Sequence, residues 1–310
     1  MNPWLLAAAV AVAFGIDLLW GEPPARCHPV VGMGRWLGAV MAPWSHTTPA
    51  QALLRGAAAW WLGALLCGGI AGAMALGLNA LSRLGAVAQV LAVLLMGSLL
   101  KPLLAWRMLR DEVAAVETAL GEGLPAGRAQ IARLVSRDTQ ALGDIEVRES
   151  ALESLAENLN DSLVAPLFWF AIAGLPGAAI YRFANTADAM WGYRGAWEWA
   201  GKWAARADDV LSWLPARLSA LLISMAAGRW LHGLRGEAHK TPSPNSGWPM
   251  AALALALDVR LSKPSVYMLH PGGHESTSAH VHAGLRLCER AARFGVLLAC
   301  ASLAAAGWHQ

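Results

Sequence analysis

The amino-acid sequence predicts an all-α, polytopic membrane protein. Of its 310 residues, 56% are hydrophobic and only 15% are charged. A single core of this size cannot bury so much apolar surface, and so low a charge content argues against disorder and against an ordinary cytosolic globule. Several tryptophans stand near the ends of apolar runs, where the interfacial anchors of membrane proteins lie. These are Trp4, Trp20, Trp44, Trp106, Trp213 and Trp308.

Six apolar runs approach or exceed the roughly 20 residues that a helix needs to cross a bilayer. They span residues 4–20, 52–78, 86–105, 162–180, 211–227 and, most weakly, 294–308. The first run has no Lys or Arg before its apolar stretch and is interrupted by Asp17. We therefore interpret it as a retained segment and not as a signal peptide.

Most of the charged residues fall in three stretches, 101–161, 181–210 and 228–293. We expect a single integral-membrane domain, residues 1–310, whose functional surface is formed by these stretches. Lys and Arg are concentrated in the odd-numbered loops, which the positive-inside rule places in the cytoplasm. The net charge of +3 is too low to indicate nucleic acid as a partner, and the four cysteines lack the CxxC spacing of a thiolate zinc module.

The fourth and fifth apolar runs are interrupted, by the sequences GLPG at 174–177 and LPA at 214–216. Interior Pro and Gly free backbone groups that protein or water must satisfy, so broken segments tend to line cavities. One interpretation is that both runs are re-entrant, which brings every charged stretch to the cytoplasmic side. Two kinked spanning helices are an equal alternative, and a cysteine near Tyr193 would be labelled from outside only in that case. The prediction is four to six membrane segments joined by helical cytoplasmic loops.

The densest polar stretch covers residues 135–161, with a helix predicted from about Asp144. Four carboxylates recur every fourth residue and therefore share one face of this helix. They are Glu149, Glu153, Glu157 and Asp161. Only Arg148 lies nearby in sequence to offset them, so the stripe repels itself unless a cation or partner neutralises it. A solvated acidic face is the alternative, but the stripe runs into the apolar segment at Ser162, which favours function. Oxygen ligands without Cys or His suit Mg²⁺ better than zinc.

A second polar cluster covers residues 182–209. Asn185 and Asp188 share a helical face, while Asp208 and Asp209 immediately precede an apolar run. One of the two aspartates could cap a helix there, but capping does not require both. Arg217 follows the pair and can bind phosphate bidentately. Four tryptophans could line a flat ligand, although the bilayer interface is the favoured interpretation. They are Trp191, Trp197, Trp199 and Trp203.

A third cluster covers residues 240–267. Its Pro-rich turn around Asn245 leads into an apolar helix that is too short to span a membrane. The start of that helix can present backbone N–H groups to a phosphate, with Lys240 and Lys263 as counter-charges. The histidines between residues 270 and 282 are interpreted as part of a solvated loop and not as a metal site. No Walker loop, GxGxxG or GxSxG motif is present.

Taken together, these segments resemble the CobD/CbiB family of adenosylcobinamide-phosphate synthases. The similarity runs in order from about residue 15 to 270, and the histidine-rich segment after Tyr267 departs from the family pattern. The matching segments are 17–23 (DLLWGEP), 28–30 (HPV), 136–139 (SRDT), 153–158 (ESLAEN) with Asp161, 165–168 (APLF), 181–182 (YR), 185–186 (NT) with Asp188, 192–193 (GY), 208–210 (DDV), 215–217 (PAR), 243–250 (SPNSGWPM), 263–264 (KP) and 266–267 (VY).

The resemblance implies a multi-pass inner-membrane enzyme of vitamin B12 assembly, and the distribution of Lys and Arg predicts that its active site faces the cytoplasm. Such enzymes use ATP to join adenosylcobyric acid to (R)-1-aminopropan-2-ol phosphate, which gives adenosylcobinamide phosphate. Ethanolamine phosphate and an unphosphorylated amine are alternatives for the amine donor. Activation of the carboxylate, for example as an acyl phosphate, requires a site that gathers anions, with Mg²⁺ on the ATP. The lipid bilayer and other cobalamin-assembly enzymes are further candidate partners.

The resemblance and the polar clusters together give a set of expected site residues. The catalytic candidates are Glu157, Asp161, Asp188, Asp208 and Asp209, of which Glu157, Asp161 and Asp209 are also the expected metal ligands. The candidates for binding substrate and phosphate are Arg137, Asp138, Asn158, Arg182, Asn185, Thr186, Arg217, Lys240, Asn245 and Lys263.

Two other classes of function stay open at the level of sequence. The same superfamily includes a membrane protein of β-lactamase regulation, which resembles a sensor or accessory component. A transporter is the third class, since broken helices and intramembrane polar residues also mark transport paths. The polar sequences at 157–161 and 185–188 favour the enzyme, and the two halves of the chain show no obvious repeat, which argues against a transporter.

Overall fold

The computed structural model of the chain describes residues 1–41, 48–192, 195 and 198–308, without the side chain of Trp308. The described part is almost entirely helical, which confirms the predicted all-α class. The expectations for Trp44, Tyr193, Trp197 and the Trp308 side chain lie outside the described residues.

The helices follow one another along the chain with short connections. They are α1 (Pro3–Trp20), α2 (Pro29–Met41), α3 (Pro49–Leu81), α4 (Ala86–Leu100), α5 (Trp106–Glu122), α6 (Leu124–Ile131), α7 (Asp144–Leu159), α8 (Ala165–Trp191), α9 (Glu198–Leu211), α10 (Trp213–Ala227), α11 (Leu234–Ala238), α12 (Gly247–Leu257) and α13 (Ser278–Trp308). Two 3₁₀ turns (Ala25–Cys27 and Lys101–Leu103), a π-helical turn (Asn160–Val164) and the strands β1 (Leu261–Lys263) and β2 (Tyr267–Leu269) complete the described chain.

Five helical runs are long and apolar enough to cross a membrane, with a sixth if α9 and α10 count as one broken span. The five are Pro3–Trp20, Pro49–Leu81, Ala86–Glu122, Asp144–Trp191 and Ser278–Gly307. Large apolar side chains such as Leu62 and Leu65 on α3 are exposed on the surfaces of these runs. Such surfaces suit lipid better than water, and the protein is a multi-pass helical membrane protein, as predicted.

Both predicted interruptions are present in the helices. In α8 the helical geometry breaks at Ala173 and Gly174, and Gly174 has a φ of 63°, a left-handed conformation that glycine adopts without steric cost. The second break lies at Ser212, between α9 and α10, and Pro215 sits in the first turn of α10, where its missing N–H removes no helical hydrogen bond. Whether either run is re-entrant or spanning stays a prediction.

The chain divides into two compact units, each built from separate segments. Unit 1 consists of Met1–Ala105, Ala165–Leu211 and Val296–Gln310, and unit 2 of Trp106–Val164 and Ser212–Gly295. Unit 1 therefore contains α1 to α4, α8 and α9, whereas unit 2 contains α5 to α7, α10 to α12 and the β-hairpin. The single-domain organisation stays a prediction.

In unit 1 the long helix α3 packs against α8 and α9, and α1 packs against α4. Glycines on α3 allow these close approaches. A Cβ atom on Gly63 would lie 2.1 Å from the Phe183 ring, and one on Gly56 would lie 2.0 Å from the carbonyl oxygen of Ala200. Close helix packing through small residues is a common arrangement in membrane proteins.

Unit 1 also contains a buried cluster of charges. Lys101 Nζ lies 2.8 Å from Glu22 Oε1 and 3.3 Å from Asp17 Oδ1, while Glu22 Oε2 lies 2.9 Å from His28 Nε2. His28 Nδ1 accepts a hydrogen bond from the N–H of Val30, so the proton on Nε2 points towards Glu22. Lys101 and Asp17 are almost completely buried. Their charges are therefore compensated inside unit 1.

In unit 2 the helix α7 lies at the centre and contacts α5, α6, α12 and β1. Apolar positions such as Leu152 and Leu155 are fully buried, as expected of a core helix. Unusually, Glu149 and Glu153 on the same helix are buried as well. Buried carboxylates need charged or hydrogen-bonding partners, and these partners define the candidate site.

Candidate functional site

A polar pocket of about 150 Å³ lies in unit 2, between α7, the segment that precedes α7, and the β-hairpin. Four expected site residues line it together: Arg137, Glu157, Asn158 and Lys263. Its other polar lining residues are Ser136, Glu153, Ser154 and Tyr267. Segments more than a hundred residues apart in sequence are thus combined into one small, highly charged cavity.

The start of α7 fixes how its side chains enter the pocket. The Glu146 carboxylate accepts a hydrogen bond from the N–H of Gly143, the residue before the helix, and Asp144 adds a second acidic group to the first turn. Both carboxylates lie at the positive end of the helix dipole, where their negative charge stabilises the helix. The helix therefore begins at the predicted residue, and four-residue spacing brings Glu153 and Glu157 to neighbouring turns on the pocket wall.

Arg137 enters the pocket from the segment between α6 and α7. Its Nη2 lies 3.2 Å from Glu153 Oε2 and also donates a hydrogen bond to the hydroxyl of Ser150. The next residue, Asp138, is exposed and accepts a hydrogen bond from the N–H of Gln140 at 2.9 Å. Asp138 thus closes the turn that presents Arg137, while its expected contact with substrate stays a prediction.

The β-hairpin supplies the opposite wall of the pocket. Strands β1 and β2 are antiparallel, and their register places Lys263 directly opposite Tyr267. The hairpin is fastened to α7 by Glu149, whose Oε2 accepts hydrogen bonds from the N–H of Ser262, at 3.0 Å, and from its hydroxyl. Glu149 Oε1 lies 3.6 Å from Arg260 Nε. The first carboxylate of the acidic stripe therefore has a structural role.

The Tyr267 phenol faces the carboxylates of α7. Burial raises the pKa of Tyr267, and the nearby negative charges of Glu153 and Glu157 raise it further. The phenol consequently stays protonated at physiological pH and can donate a hydrogen bond within the pocket.

The acidic stripe is not a solvated face, because only 1% of Glu149 and 6% of Glu153 is exposed. The expectation that only Arg148 offsets the stripe is wrong. Arg148 pairs with Glu117 on α5, at 2.9 Å, while Arg137 and Arg260 approach the stripe from other segments. The residues next to the stripe in sequence do not reveal these compensating charges, because Arg137 and Arg260 reach the carboxylates through tertiary contacts.

The fourth carboxylate of the stripe, Asp161, lies in the π-helical turn and does not line the pocket. Its Oδ1 accepts a hydrogen bond from Asn160 Nδ2 at 2.7 Å, and Asn160 Oδ1 accepts one from the Ser219 hydroxyl at 3.0 Å. The wider π turn ends the regular four-residue spacing after Glu157. The catalytic and metal-binding roles expected of Asp161 stay predictions.

A second group of expected residues meets at the turn before α12. Arg217 Nη1 donates hydrogen bonds to Asn245 Oδ1 at 2.9 Å and to the carbonyl of Trp213 at 2.7 Å, and Nη2 donates one to the carbonyl of Pro244 at 3.2 Å. Its guanidinium also stacks over the rings of Trp213 and Trp248. Arg217 therefore holds the turn in place, and its expected role in phosphate binding stays a prediction.

Lys240 and the histidines occupy a neighbouring part of unit 2. Lys240 Nζ lies 2.7 Å from Glu237 Oε1. The other oxygen of this carboxylate, Oε2, accepts a hydrogen bond from the N–H of His270 at 2.6 Å. The interpretation of residues 270–282 as a loop is wrong for the second half, because α13 begins at Ser278. His282 thus lies in a helix.

The remaining expected residues belong to unit 1 and are carried by α8 and α9. They are Arg182, Asn185, Thr186, Asp188, Asp208 and Asp209. The Thr186 hydroxyl donates a hydrogen bond to the carbonyl of Arg182, one turn earlier. Asp208 and Asp209 lie inside the last turn of α9, and Ser212 is the residue before α10. The N-cap residue of α10 is therefore Ser212 and neither aspartate.

A cavity of about 860 Å³ in unit 1 contains none of the expected site residues. Its walls are apolar residues of α1, α3 and α8, and Glu22 and Lys101 line it as well. Its composition suits a hydrophobic occupant better than phosphorylated substrates.

Among the described residues, no group of three or more His, Cys, Asp or Glu side chains is arranged to hold a metal ion. A Mg²⁺ that arrives with a nucleotide needs only one or two protein carboxylates, because phosphates and water complete its coordination. Glu157 lines the pocket together with Arg137 and Lys263 and fits this smaller requirement. The metal-binding roles expected of Asp161 and Asp209 stay predictions.

The model of one protein family, described as CobD/Cbib protein, matches residues 10–291. The chain belongs to the CobD/CbiB family. It is 40% identical over 270 residues to the cobalamin biosynthesis protein CobD of Rhodobacter capsulatus, which covers 84% of this chain and 83% of that protein. It is 34% identical over 304 residues to the cobalamin biosynthesis protein CobD of Brucella anthropi, and the match covers 90% of this chain and 91% of that protein.

An archaeal relative, the probable cobalamin biosynthesis protein CobD of Methanothermobacter thermautotrophicus, is 37% identical over 270 residues, with 84% of this chain and 86% of that protein covered. No solved structure matches the chain. As a CobD/CbiB family member, the protein acts in cobalamin biosynthesis. Several segments that carried the resemblance, including 136–139 and 153–158, line the polar pocket of unit 2.

Sequence reasoning missed two functional candidates in this pocket, Glu153 and Tyr267. Glu153 belongs to the acidic stripe, but spacing alone does not distinguish its position in the pocket from the structural position of Glu149. Tyr267 belongs to the last family segment, and its position opposite Lys263 in a hairpin was the missing information. Strands of three residues are too short to show a periodic pattern.

Proposed function

We propose that this CobD/CbiB protein is the amide-forming ligase that joins adenosylcobyric acid to (R)-1-aminopropan-2-ol phosphate and gives adenosylcobinamide phosphate, with ATP as the energy source. The observation that supports the proposal is the polar pocket of unit 2. It combines two cations, Arg137 and Lys263, with two carboxylates, Glu153 and Glu157, in a space that suits a small phosphorylated amine.

The chemistry of this reaction calls for such a pocket. A carboxylate must lose an oxygen before an amine can replace it, and phosphoryl transfer from ATP supplies an acyl phosphate whose phosphate can leave. Every reactant carries phosphate or carboxylate groups, so cations are needed to gather them. Arg137 and Lys263 would neutralise phosphate oxygens, while Asn158 would orient the ligand by hydrogen bonds.

Mg²⁺ would neutralise the phosphates of the nucleotide when bound, and Glu157 is the residue of this pocket that would hold it. The excess of Lys and Arg in the odd-numbered loops supports an inner-membrane protein whose pocket faces the cytoplasm. ATP is available on that side. The expected residues of unit 1, among them Asp188 and Asp209, are proposed to serve the same reaction.

The proposal is tested with purified protein in lipid nanodiscs supplied with adenosylcobyric acid, aminopropanol phosphate, ATP and Mg²⁺. We expect formation of the amide, seen by mass spectrometry, together with release of ADP that depends on both substrates. Parallel reactions with ethanolamine phosphate and with free aminopropanol identify the amine donor. Release of ADP without amide, or no substrate-dependent release of ADP, would contradict the proposal and favour a transporter or a sensor.

Variants connect the activity to the pocket. We expect Arg137→Ala and Lys263→Ala to lower the rate by about 100-fold or more, as loss of a positioned cation does in other active sites. Arg133→Ala is the matched control, because Arg133 is exposed and pairs with Glu112 away from the pocket. Equal rates for all three variants would place the reaction elsewhere.

A further inference from the structure

We propose that the Glu153 carboxylate accepts the first of the two protons that the protonated amine substrate loses as the amide bond forms, the one whose removal frees the electron pair of the nitrogen. The inference rests on the proposed function, and it adds a role for a residue of the same pocket. Glu153 projects from α7 one turn before Glu157 and lines the pocket.

The two oxygens of Glu153 have different surroundings. Oε2 lies 3.2 Å from Arg137 Nη2, which fixes the orientation of the carboxylate. Oε1 is buried and accepts no hydrogen bond of regular geometry within the part of the chain that the structure describes, and the Tyr267 phenol is the donor that faces this carboxylate. A buried carboxylate oxygen without a donor is costly, and such an atom in a pocket is suited to receive a hydrogen bond from a ligand. An ammonium or amine N–H is a donor of the right kind.

Glu149 shows what a purely structural carboxylate looks like on the same helix. It lies one turn before Glu153 and is equally buried, but its Oε2 is occupied by the N–H and hydroxyl of Ser262. Its Oε1 also accepts no hydrogen bond among the described residues, but lies 3.6 Å from the cationic Arg260 Nε. Glu149 does not line the pocket. Of these two adjacent glutamates, only Glu153 thus combines an oxygen without a hydrogen-bond donor with a place in the wall of the pocket.

The size and charge of the pocket select the amine substrate and not the corrinoid. A volume of about 150 Å³ accommodates a short phosphorylated amine but is far too small for a corrin macrocycle. Such an amine is a zwitterion at neutral pH, with a phosphate and an ammonium group. Lys263 can face its phosphate while Glu153 faces its ammonium, so the pocket is complementary to both ends.

The proposed step conserves protons and electrons. An alkylammonium has a pKa near that of lysine, about 10, and its nitrogen has no free electron pair while protonated. Transfer of one N–H proton to Glu153 Oε1 frees that pair, which forms the new N–C bond to the activated carboxyl carbon. The C–O bond to the phosphate then breaks, and the phosphate leaves with the bonding electrons. The leaving phosphate takes up the second N–H proton, which the positively charged nitrogen must lose to give the neutral amide. Glu153 finally returns its proton to water.

The test compares two nucleophiles in the nanodisc assay. Aminopropanol phosphate arrives protonated and needs a base, whereas hydroxylamine is largely uncharged at neutral pH and needs none to expose its electron pair. We expect Glu153→Gln to slow amide formation with aminopropanol phosphate by about 10²- to 10⁴-fold, the usual effect of losing a general base. Formation of the hydroxamate from hydroxylamine should fall by less than about threefold, so the ratio of the two rates changes greatly.

Glu149→Gln is the control for burial and folding. It removes an equally buried charge one turn away, so it is expected to lower thermal stability but to leave the ratio of the two rates within about twofold of the unsubstituted protein. Should Glu153→Gln not fold, Glu153→Asp decides the same question, because a carboxylate displaced by one methylene should slow the reaction with aminopropanol phosphate selectively.

The outcomes separate this inference from the proposed function. If the unsubstituted protein forms neither amide nor hydroxamate with ATP, the proposed function itself is wrong. If it forms both, and the Glu153 variants lose the two reactions to the same extent, the reaction stands and the assignment of Glu153 as proton acceptor is overturned. A selective loss with aminopropanol phosphate supports both.

Discussion

Replacing Lys101 by methionine removes the central cation of the buried charge cluster in unit 1. Methionine has a similar length and fills the same space, so the substitution changes charge more than packing. It leaves the carboxylates of Glu22 and Asp17, which lie 2.8 and 3.3 Å from the ammonium, without their cation. Asp17 and Lys101 are respectively 0% and 3% exposed, so water cannot replace the lost contact of Asp17, whereas Glu22 keeps its hydrogen bond with His28.

The expected loss is large for a single substitution. Breaking a buried ion pair by removing one partner costs about 3–5 kcal/mol, because the remaining charge stays buried. The neutral triple variant Asp17→Asn, Glu22→Gln, Lys101→Met should recover most of this loss, since removing all the charges also removes the unpaired carboxylates. This recovery distinguishes an electrostatic effect from a packing defect.

The free energy of unfolding is measured by denaturant titration in detergent micelles, followed by far-ultraviolet circular dichroism. Arg110→Met is the matched control, because Arg110 pairs with the half-exposed Asp111, and exposed pairs contribute only about 0–1 kcal/mol. The reasoning is refuted if Lys101→Met unfolds within about 0.5 kcal/mol of the unsubstituted protein, the range of ordinary surface changes. It is also refuted if the triple variant is no more stable than Lys101→Met.

Two further predictions concern packing in unit 1 and pH in unit 2. Gly56→Ala should lower the free energy of unfolding by about 1–3 kcal/mol, because its Cβ would lie 2.0 Å from the backbone oxygen of Ala200. Gly69→Ala on the same helix is the control: its Cβ meets nothing within 4 Å, so the same denaturant titration should show a neutral or slightly stabilising effect. Burial alone would raise the pKa of Glu237, but hydrogen bonds from Lys240 and from the N–H of His270 outweigh it and hold this pKa below its usual value of 4.5. A lowered carboxyl pKa stabilises the folded state above the unfolded value and loses this contribution as the pH falls through the folded value. The difference in melting temperature between the unsubstituted protein and Glu237→Gln should therefore be constant from about pH 8 to 5.5 and shrink below about pH 4.5, and a difference that does not change with pH would contradict this assignment.

The membrane segments could be predicted from the sequence because each depends on local composition. The apolar runs correspond to long helices, and α7 begins at Asp144, as its polar pattern indicated. The breaks at Gly174 and near Pro215 were equally local, since glycine and proline act on the backbone around them. These features need no knowledge of distant residues.

The composition of the site could be predicted only in part, because its geometry depends on distant contacts. Glu149 and Glu153 occupy equivalent places in the four-residue pattern, yet one fastens a strand and the other lines a pocket. The partner that decides this, Ser262, is more than a hundred residues away in sequence. Likewise Lys101 belongs by sequence to the polar stretch 101–161, but in the structure it is buried and pairs with Asp17 and Glu22.

The division of each compact unit into separate segments has a consequence for biosynthesis. The chain leaves unit 1 after Ala105 and returns to it only at Ala165, while unit 2 is interrupted until Ser212. At about 5–20 residues per second, the ribosome needs several seconds to supply α8, the helix that α3 packs against. During this interval the face of α3 that α8 later covers has no partner. A nascent chain that stops inside unit 2 therefore contains neither unit in full. Such a chain is incompletely folded and open to degradation by membrane-bound proteases.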